Sequence, residues 1–146
     1  MNDKEFKKLL AFGEEVELEI VKKLQKTHPS TVKIPGKFSQ YDIYVPETNT
    51  KIEVKTDIVS QDTGNYVVEI EMYDKPSGLL VTEADWWIFT DKVDMIWITP
   101  TKLIQTIILN KLQWVTFYGK GDTQSKKAYL IKKELLYKSS NKIQPY

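Results

Sequence analysis

The chain has 146 residues, a formal net charge of +1 and no cysteine, which is typical of one intracellular domain and excludes disulfides, thiolate catalysis and cysteine-ligated zinc. Its single histidine, His28, stands beside Pro29, which disfavours histidine-based nucleases and serine-histidine hydrolases. The sequence has no apolar stretch of membrane-spanning length and no signal-peptide pattern, so we expect a cytoplasmic protein.

The first predicted element is a long amphipathic helix that ends near Thr27, because apolar residues recur there every three or four positions. Glu17 falls close to the centre of the apolar stripe, and Glu14 lies at its edge. Glu15 and Glu19 are predicted to face solvent. A carboxylate within a buried stripe is unfavourable unless a metal ion, a lysine or water reaches it, so Glu17 is a candidate functional residue.

Two short segments after this helix, 41–45 and 51–55, are predicted to form an antiparallel hairpin, because turn-forming residues separate them. Alternation along the strands defines one apolar face. The residues assigned to that face are Ile43, Val45, Ile52 and Val54. If that face is buried, Asp42, Glu53 and Lys55 must emerge together on the other one.

Asp42, Glu53 and Lys55 together suggest phosphodiester chemistry. Two neighbouring carboxylates repel each other unless a proton or a cation lies between them. Mg²⁺ is typically held by one or two carboxylates and keeps several waters, one of which can attack phosphorus. Lys55 would then orient that nucleophile or offset charge in the transition state. The alternative is an exposed hairpin with solvated charges, since so short a pattern also arises by chance.

The rest of the chain is predicted to complete a mixed α/β core in one domain, 1–146, with helices flanking a mixed β-sheet. Thr99 and Pro100 mark a strong helix start. The predicted elements are strand 66–71, loop 74–78, a helical turn from Thr82 to Asp85, strands 87–89 and 95–98, a helix from Pro100 to about Asn110, strands 114–118 and 128–131, and helix 132–137.

The segment from about residue 120 is rich in lysine, with few acids to balance it. Its lysines are Lys120, Lys126, Lys127, Lys132, Lys133, Lys138 and Lys142. Such a segment can follow a phosphate backbone, and Lys120, Lys126 and Lys127 are the candidate DNA contacts. A solvated surface with a frayed end is the alternative. The chain has no arginine, which favours recognition of DNA shape and backbone over guanine readout.

The aromatic residues divide into two groups. Trp86, Trp87 and Trp97 stand in apolar runs and are predicted to belong to the core. A second group is expected to line either a binding surface or a subunit interface; its members are Tyr41, Tyr44, Trp114, Phe117 and Tyr118.

One spaced pattern joins the helix to the hairpin. It reads Gly13-x-x-x-Glu17-x-x-Ile20-Val21-x-x-Leu24, then Asp42, then Glu53-x-Lys55. This pattern resembles the PD-(D/E)XK nuclease superfamily, and within it the archaeal and viral Holliday-junction resolvases and small phage nucleases. The likeness covers roughly the first hundred residues and includes the stretches 64–69, 76–79 and 82–87. Tyr41 stands where the family name has proline.

The resemblance implies a restriction-endonuclease-like core with αβββαβ order. It also implies that Asp42, Glu53 and the Val54 backbone carbonyl are metal ligands. Lys55 would position the nucleophile, and Glu17 would contact the metal or its water shell. The implied cofactor is Mg²⁺ or Mn²⁺, and the implied partners are DNA, branched DNA included, and a second copy of the chain in a homodimer.

The expected function is therefore a phage- or virus-encoded, structure-selective DNA endonuclease of the resolvase kind. A first alternative is a flap, single-strand or restriction-type nuclease in phage DNA processing. A second is a non-catalytic DNA-binding module on a nuclease fold. An RNA substrate also remains open at this point.

Overall fold

The computed structural model describes residues 3–36, 40–57, 64–118 and 125–146, which form a mixed α/β protein with three helices and two sheets. The helices are α1 (Asp3–Gln25), α2 (Pro100–Leu109) and α3 (Lys133–Ser139). The strands are β1 (Val32–Lys33), β2 (Ile43–Val45), β3 (Thr50–Thr56), β4 (Asn65–Met72), β5 (Lys75–Pro76), β6 (Trp86–Thr90), β7 (Asp94–Ile98), β8 (Trp114–Phe117), β9 (Lys126–Lys132) and β10 (Lys142–Pro145). None of these helices combines the length and apolar character needed to cross a membrane.

The first sheet has six strands in the order β1-β2-β3-β6-β7-β10. Only the β3–β6 pair is parallel, and the other neighbours are antiparallel. The second sheet has four antiparallel strands in the order β5-β4-β9-β8. The chain therefore leaves the first sheet after β3, contributes β4 and β5 to the second, and returns at β6 beside β3.

Helix α1 covers one face of the first sheet. The buried residues of this layer are Val16, Ile20, Val21, Ile43, Val45, Ile52, Val54, Ile88 and Met95. Ile43 lies opposite Ile52 in the antiparallel β2–β3 pair, so the predicted hairpin and its buried face are confirmed. Burial of each such aliphatic side chain contributes about 1.5–3 kcal/mol, so a slip of one residue in register would be strongly unfavourable.

The second sheet, α2 and α3 cover the opposite face of the first sheet. Tyr66 of β4 packs edge-on against Phe89 of β6, with ring centroids 5.2 Å apart. The buried members of this layer are Tyr66, Val68, Leu79, Ala84, Trp87, Phe89, Ile96, Ile98, Leu103, Ile107, Ile131 and Leu136. Strands β6 and β7 are thus covered on both sides, as their continuous apolar sequences predict.

Several predicted boundaries are confirmed closely. Helix α2 begins at Pro100, and the Thr99 hydroxyl accepts a hydrogen bond from the Lys102 N–H at 3.2 Å. Strands β8 and β9 and helix α3 lie where the sequence predicts them. These elements carry local signals, namely an N-cap followed by proline and runs of β-branched and aromatic residues.

The prediction of a mixed α/β core is confirmed, but its strands form two sheets where one mixed sheet in αβββαβ order was predicted. Residues 66–71 do form a strand, but β4 pairs with β9 in the second sheet and not with the β2–β3 hairpin. The partner strand lies some sixty positions later in the sequence. Alternation along 66–71 indicates a strand without indicating its partner.

Two predictions between β4 and β6 are also wrong. The segment 74–78 contains the short strand β5, and a 3₁₀ turn follows at Gly78–Leu80. Thr82 does not begin a helical turn. Its hydroxyl accepts hydrogen bonds from the Ala84 N–H at 3.2 Å and the Trp87 indole N–H at 3.1 Å, which fixes the entry into β6.

The C-terminal residues are not a frayed end. Strand β10 pairs with β7, and the Tyr146 hydroxyl donates to the Glu19 carboxylate on α1. Lys92 lies 3.9 Å from the same carboxylate. Glu19 was predicted to face solvent, but it anchors the chain end because α1 crosses the sheet as far as β10.

We expect Gly78→Ala to destabilise the fold. Gly78 has a φ of +51°, and a Cβ there would lie 2.2 Å from the backbone oxygen of Glu69 on β4. Strain in that backbone region alone costs about 1–3 kcal/mol. Thermal unfolding of the variant should shift down by several degrees.

Gly13→Ala is the matched control. Gly13 lies within α1, and a Cβ there meets nothing within 4 Å. Alanine should therefore stabilise the helix by about 1 kcal/mol. Equal melting temperatures for the two variants would contradict the assignment of Gly78 as a close-approach position.

Candidate active site

Asp42 lies at the point where the β2–β3 pairing ends. Its backbone N–H donates to the Ile52 carbonyl at 2.8 Å. Its carboxylate Oδ2 accepts the next available β3 hydrogen bond, from the Val54 N–H at 2.7 Å. The aspartate side chain thus continues the ladder beyond β2, and this holds the carboxylate against the β3 backbone.

The same geometry orients the Val54 carbonyl. The N–H and C=O of one strand residue project toward the same edge. The Val54 N–H points to Asp42, so strand geometry directs the Val54 carbonyl toward that edge as well. The backbone oxygen predicted as a metal ligand therefore lies beside the Asp42 carboxylate, while the Val54 side chain stays buried under α1.

Glu53 and Lys55 occupy the face of β3 opposite to α1. Their side chains form an ion pair, with Lys55 Nζ 3.3 Å from Glu53 Oε1. The Glu53 side chain is 17% exposed and that of Lys55 35%. Glu53 is the direct parallel neighbour of Trp87, and Lys55 Nζ lies 5.4 Å from the Trp87 ring centroid. An apolar floor thus supports this pair.

Glu17 approaches the same region from α1. Its side chain is 17% exposed, and its carboxylate pairs with Lys33 Nζ at 3.4 Å. The sequence predicted a buried carboxylate that needs a partner, and Lys33 of β1 is that partner. Lys33 was missed because a two-residue edge strand has too little sequence pattern to be recognised.

The pKa values show that the three carboxyl groups act on one another. Burial, then repulsion by Asp42, raises the pKa of Glu17 to about 7, against the opposing charge of Lys33. Burial also raises the pKa of Glu53 to about 7, where Lys55 opposes the shift and Asp42 and Glu17 add to it. The predicted residues Glu17, Asp42, Glu53 and Lys55 therefore share one electrostatic environment.

Asp42 differs from the two glutamates in its hydrogen bonds. Burial raises its pKa above the ordinary value, but the Val54 N–H and the charge of Lys55 oppose that shift. A side-chain hydrogen bond also links its carboxyl group to Glu53.

The donor set fits a hard divalent cation that keeps part of its water shell. Asp42, Glu53 and the Val54 carbonyl offer oxygen ligands, and Mg²⁺ typically takes only one or two carboxylates. Within the described residues, no three His, Asp or Glu side chains stand ready to hold an ion directly. Glu17 and Glu53 are instead directed at their lysines, so a bound cation would replace part of that pairing.

Of the three lysines predicted to contact DNA, the two that the structure describes lie in the second sheet and not at this site. Lys120 lies outside the described residues. Lys126 and Lys127 begin β9 in the second sheet. Lys127 Nζ lies 3.0 Å from the Glu71 carboxylate and 4.6 Å from the Trp114 ring centroid, so its charge is already compensated.

Comparison of the chain with protein-family models, with curated proteins and with solved structures finds no match. The likeness to the PD-(D/E)XK superfamily therefore rests on the helix and hairpin pattern itself. The structure adds that Asp42 is near enough to Glu17 and Glu53 to raise the pKa of both, and that Lys55 pairs with Glu53.

Glu53→Gln should stabilise the metal-free protein at pH 8. The pKa of Glu53 is about 7 in the folded protein against 4.5 as its ordinary value. Its contribution to stability is therefore complete below pH 4.5 and is lost as pH rises through 7. The ionised group then opposes folding by at most about 3 kcal/mol, and glutamine, which stays neutral, removes this penalty.

Denaturant unfolding of wild type and Glu53→Gln in EDTA provides the measurement. The variant should be more stable by about 1–3 kcal/mol at pH 8 and should lose that advantage near pH 5. An advantage that is the same at both pH values would contradict the raised pKa.

Divalent metal should stabilise the wild type in a pH-dependent way, because the carboxyl groups must lose their protons to bind it. We expect Mn²⁺ to raise the melting temperature more at pH 8 than at pH 6. Asp42→Asn should abolish the shift.

Asp85→Asn is the control, because the Asp85 carboxylate also accepts a hydrogen bond from β3, from the Lys51 N–H at 2.8 Å. Loss of the metal-induced shift in Asp85→Asn would contradict a specific role for Asp42.

Proposed function

We propose that this chain is a divalent-metal-dependent DNA endonuclease that hydrolyses phosphodiester bonds and prefers branched DNA, in the manner of a Holliday-junction resolvase. The observation that carries the proposal is the placement of the Asp42 carboxylate against the β3 backbone beside the Glu53–Lys55 ion pair, with Glu17 close enough to add to the raised pKa of Glu53. A surface without a ligand gains nothing from three half-buried acids, since their mutual repulsion opposes folding.

The residues of the site would divide the work among them. Asp42, Glu53 and the Val54 carbonyl would hold Mg²⁺ or Mn²⁺, which would polarise the phosphate and lower the pKa of a bound water. Lys55 Nζ, beside Glu53 Oε1, would place a positive charge near the phosphate oxygens as negative charge develops there. Glu17, with a pKa near the working pH, is suited to accept a proton from water.

A restriction-endonuclease-like core is the finer fold assignment that we propose. It is supported by α1 packed against the β2–β3 hairpin and by the parallel placement of β6 beside β3. The structure departs from such a core at β4, which belongs to the second sheet. The proposed site uses only α1, β1, β2 and β3, so this departure leaves its parts in place.

The preference for branched DNA rests on the superfamily likeness and on lysine chemistry. The 21 basic residues are all lysine, which suits contact with phosphate over readout of guanine. Resolution of a junction requires two cuts at a fixed separation, and a two-fold homodimer supplies two such sites. A phage- or virus-encoded enzyme acting in the host cytoplasm is the setting that agrees with this likeness.

Purified protein with Mg²⁺ or Mn²⁺ should cut labelled DNA, and a panel of four-way junction, flap, duplex and single-stranded substrates should show the preference. We expect Asp42→Ala and Glu53→Ala to lose at least 100-fold in rate, as for loss of a principal charge-stabilising group, while binding of the junction persists. Asp85→Asn should cut at the wild-type rate.

Each outcome distinguishes between the alternatives. Equal cutting of linear duplex and junction would replace the resolvase assignment by a flap, single-strand or restriction-type nuclease. Binding of junctions without cutting under either metal would indicate a non-catalytic DNA-binding module. In such a module, the ion pairs of Glu17 and Glu53 with their lysines would be the functional state of the site, with no metal ion to replace them.

Glu17→Gln tests the helix residue separately. It should lower the cutting rate and alter the pH–rate profile near pH 7 while the protein stays folded, because the removed group titrates there. Glu15→Gln is the matched control, two residues away on the exposed side of α1. Unchanged rates and pH profile for Glu17→Gln would remove Glu17 from the proposed mechanism.

A further inference from the structure

Strand β8 forms one edge of the second sheet and carries no feature that would block pairing with another strand. It runs over four residues, Trp114–Phe117, in unbroken antiparallel register with β9. An edge strand presents backbone N–H and C=O groups that can pair with a further strand. Lysine, proline, bulges and very short length are the usual means of preventing this, and β8 has none of them.

The other three edges of the two described sheets are protected. The first sheet ends on one side in β1, which has only two residues and includes Lys33. It ends on the other side in β10, which contains Lys142 and Pro145. The second sheet ends opposite β8 in the two residues of β5, Lys75–Pro76. Among the described residues, β8 is therefore the one sheet edge without such protection.

The chain around β8 also exposes apolar side chains. Six of the sixteen exposed large apolar residues in the described part of the chain fall between 104 and 118. They are Ile104, Ile108, Leu109, Trp114, Val115 and Tyr118. Helix α2, which immediately precedes β8, is thus apolar on its exposed side as well as its buried one, which is typical of a helix that is covered by a partner.

The charge pattern indicates which partner. Residues 112–118 contain no charged side chain, so a second copy of the same strand would meet it without like-charge repulsion. The second copy also brings the same uncovered apolar residues, and a two-fold contact covers both sets at once. A strand of equal length and matching character is therefore available in the chain itself.

We propose that β8 pairs antiparallel with β8 of a second copy about a two-fold axis, which joins the two four-stranded sheets into one of eight strands. The proposal gives a surface to the homodimer expected for the proposed function. The pairing depends on the sheet edge and the exposed apolar residues around β8 and on no residue of the candidate site, and its tests measure mass and cross-linking. Failure of pairing therefore leaves the nuclease proposal untouched, and absence of cutting leaves the pairing proposal untouched.

Val115→Lys tests the pairing. Val115 is 39% exposed, so lysine can be accommodated in the monomer, but it sets two like charges near the two-fold axis. Sedimentation velocity at about 50 µM should give wild type as a dimer of twice 17.0 kDa and the variant as a monomer with an unchanged circular dichroism spectrum. At this protein concentration, a dimer with a Kd of about 1 µM would be largely assembled; that Kd corresponds to a binding free energy of about −8 kcal/mol.

Val32→Lys is the matched control, because Val32 is 47% exposed and lies on β1, an edge of the other sheet. That variant should stay dimeric. A monomeric wild type, a dimeric Val115→Lys or a monomeric Val32→Lys would each overturn the proposal.

Cysteine cross-linking tests the geometry independently of that variant. The chain has no cysteine, so a single introduced thiol can pair only with its copy. A two-fold axis normal to the sheet, at the middle of β8, brings residue 115 or 116 opposite itself. Under mild oxidation, Val115→Cys or Thr116→Cys should form a covalent dimer and Val32→Cys should not; cross-linking at Val32 alone, or at none of the three, would overturn the proposed pairing.

Discussion

The hydrogen bond from the Val54 N–H to the Asp42 carboxylate, 2.7 Å long, is the contact on which the candidate site depends. It exists because the β2–β3 pairing stops at Ile43 and Ile52, and beyond that point the Asp42 side chain supplies the oxygen that accepts the Val54 N–H. The bond fixes one carboxylate at the sheet edge, beside the Glu53 carboxyl. Burial of Ile52 and Val54 under α1 then forces Glu53 and Lys55 to the opposite face. Packing thus determines where the charges go.

The resulting arrangement is electrostatically unfavourable in the absence of a cation. Glu17 and Glu53 have pKa values of about 7 because they are buried near Asp42, and Lys33 and Lys55 compensate only in part. Proteins tolerate such local conflict mainly at functional positions, where the rest of the fold offsets it. Here the offset comes from two apolar layers, one on each face of the first sheet. This conflict is the physical reason for assigning a cation to the site.

What the sequence predicts correctly of the fold depends on local periodicity. The α1 stripe, the hairpin faces and the Thr99 cap each follow from spacing within a few residues. The same spacing indicates Glu17, Asp42, Glu53 and Lys55 as candidate site residues, and their role stays a prediction. Features that depend on distant pairing were missed: β4 joining β9, Lys33 reaching Glu17 from β1, and the Tyr146–Glu19 contact that anchors β10. An alternating strand sequence does not specify which strand pairs with it, because the same alternation would bury its apolar side equally well in either sheet.

Anomalous diffraction from crystals grown with Mn²⁺ would show whether an ion binds at this site, because it locates the ion without reference to any activity. We expect one strong anomalous peak within coordination distance of the Asp42 and Glu53 carboxylates and the Val54 carbonyl, with Glu17 reaching the ion or its waters. Absence of a peak there at millimolar Mn²⁺, with the ion pairs to Lys33 and Lys55 intact, would contradict this expectation.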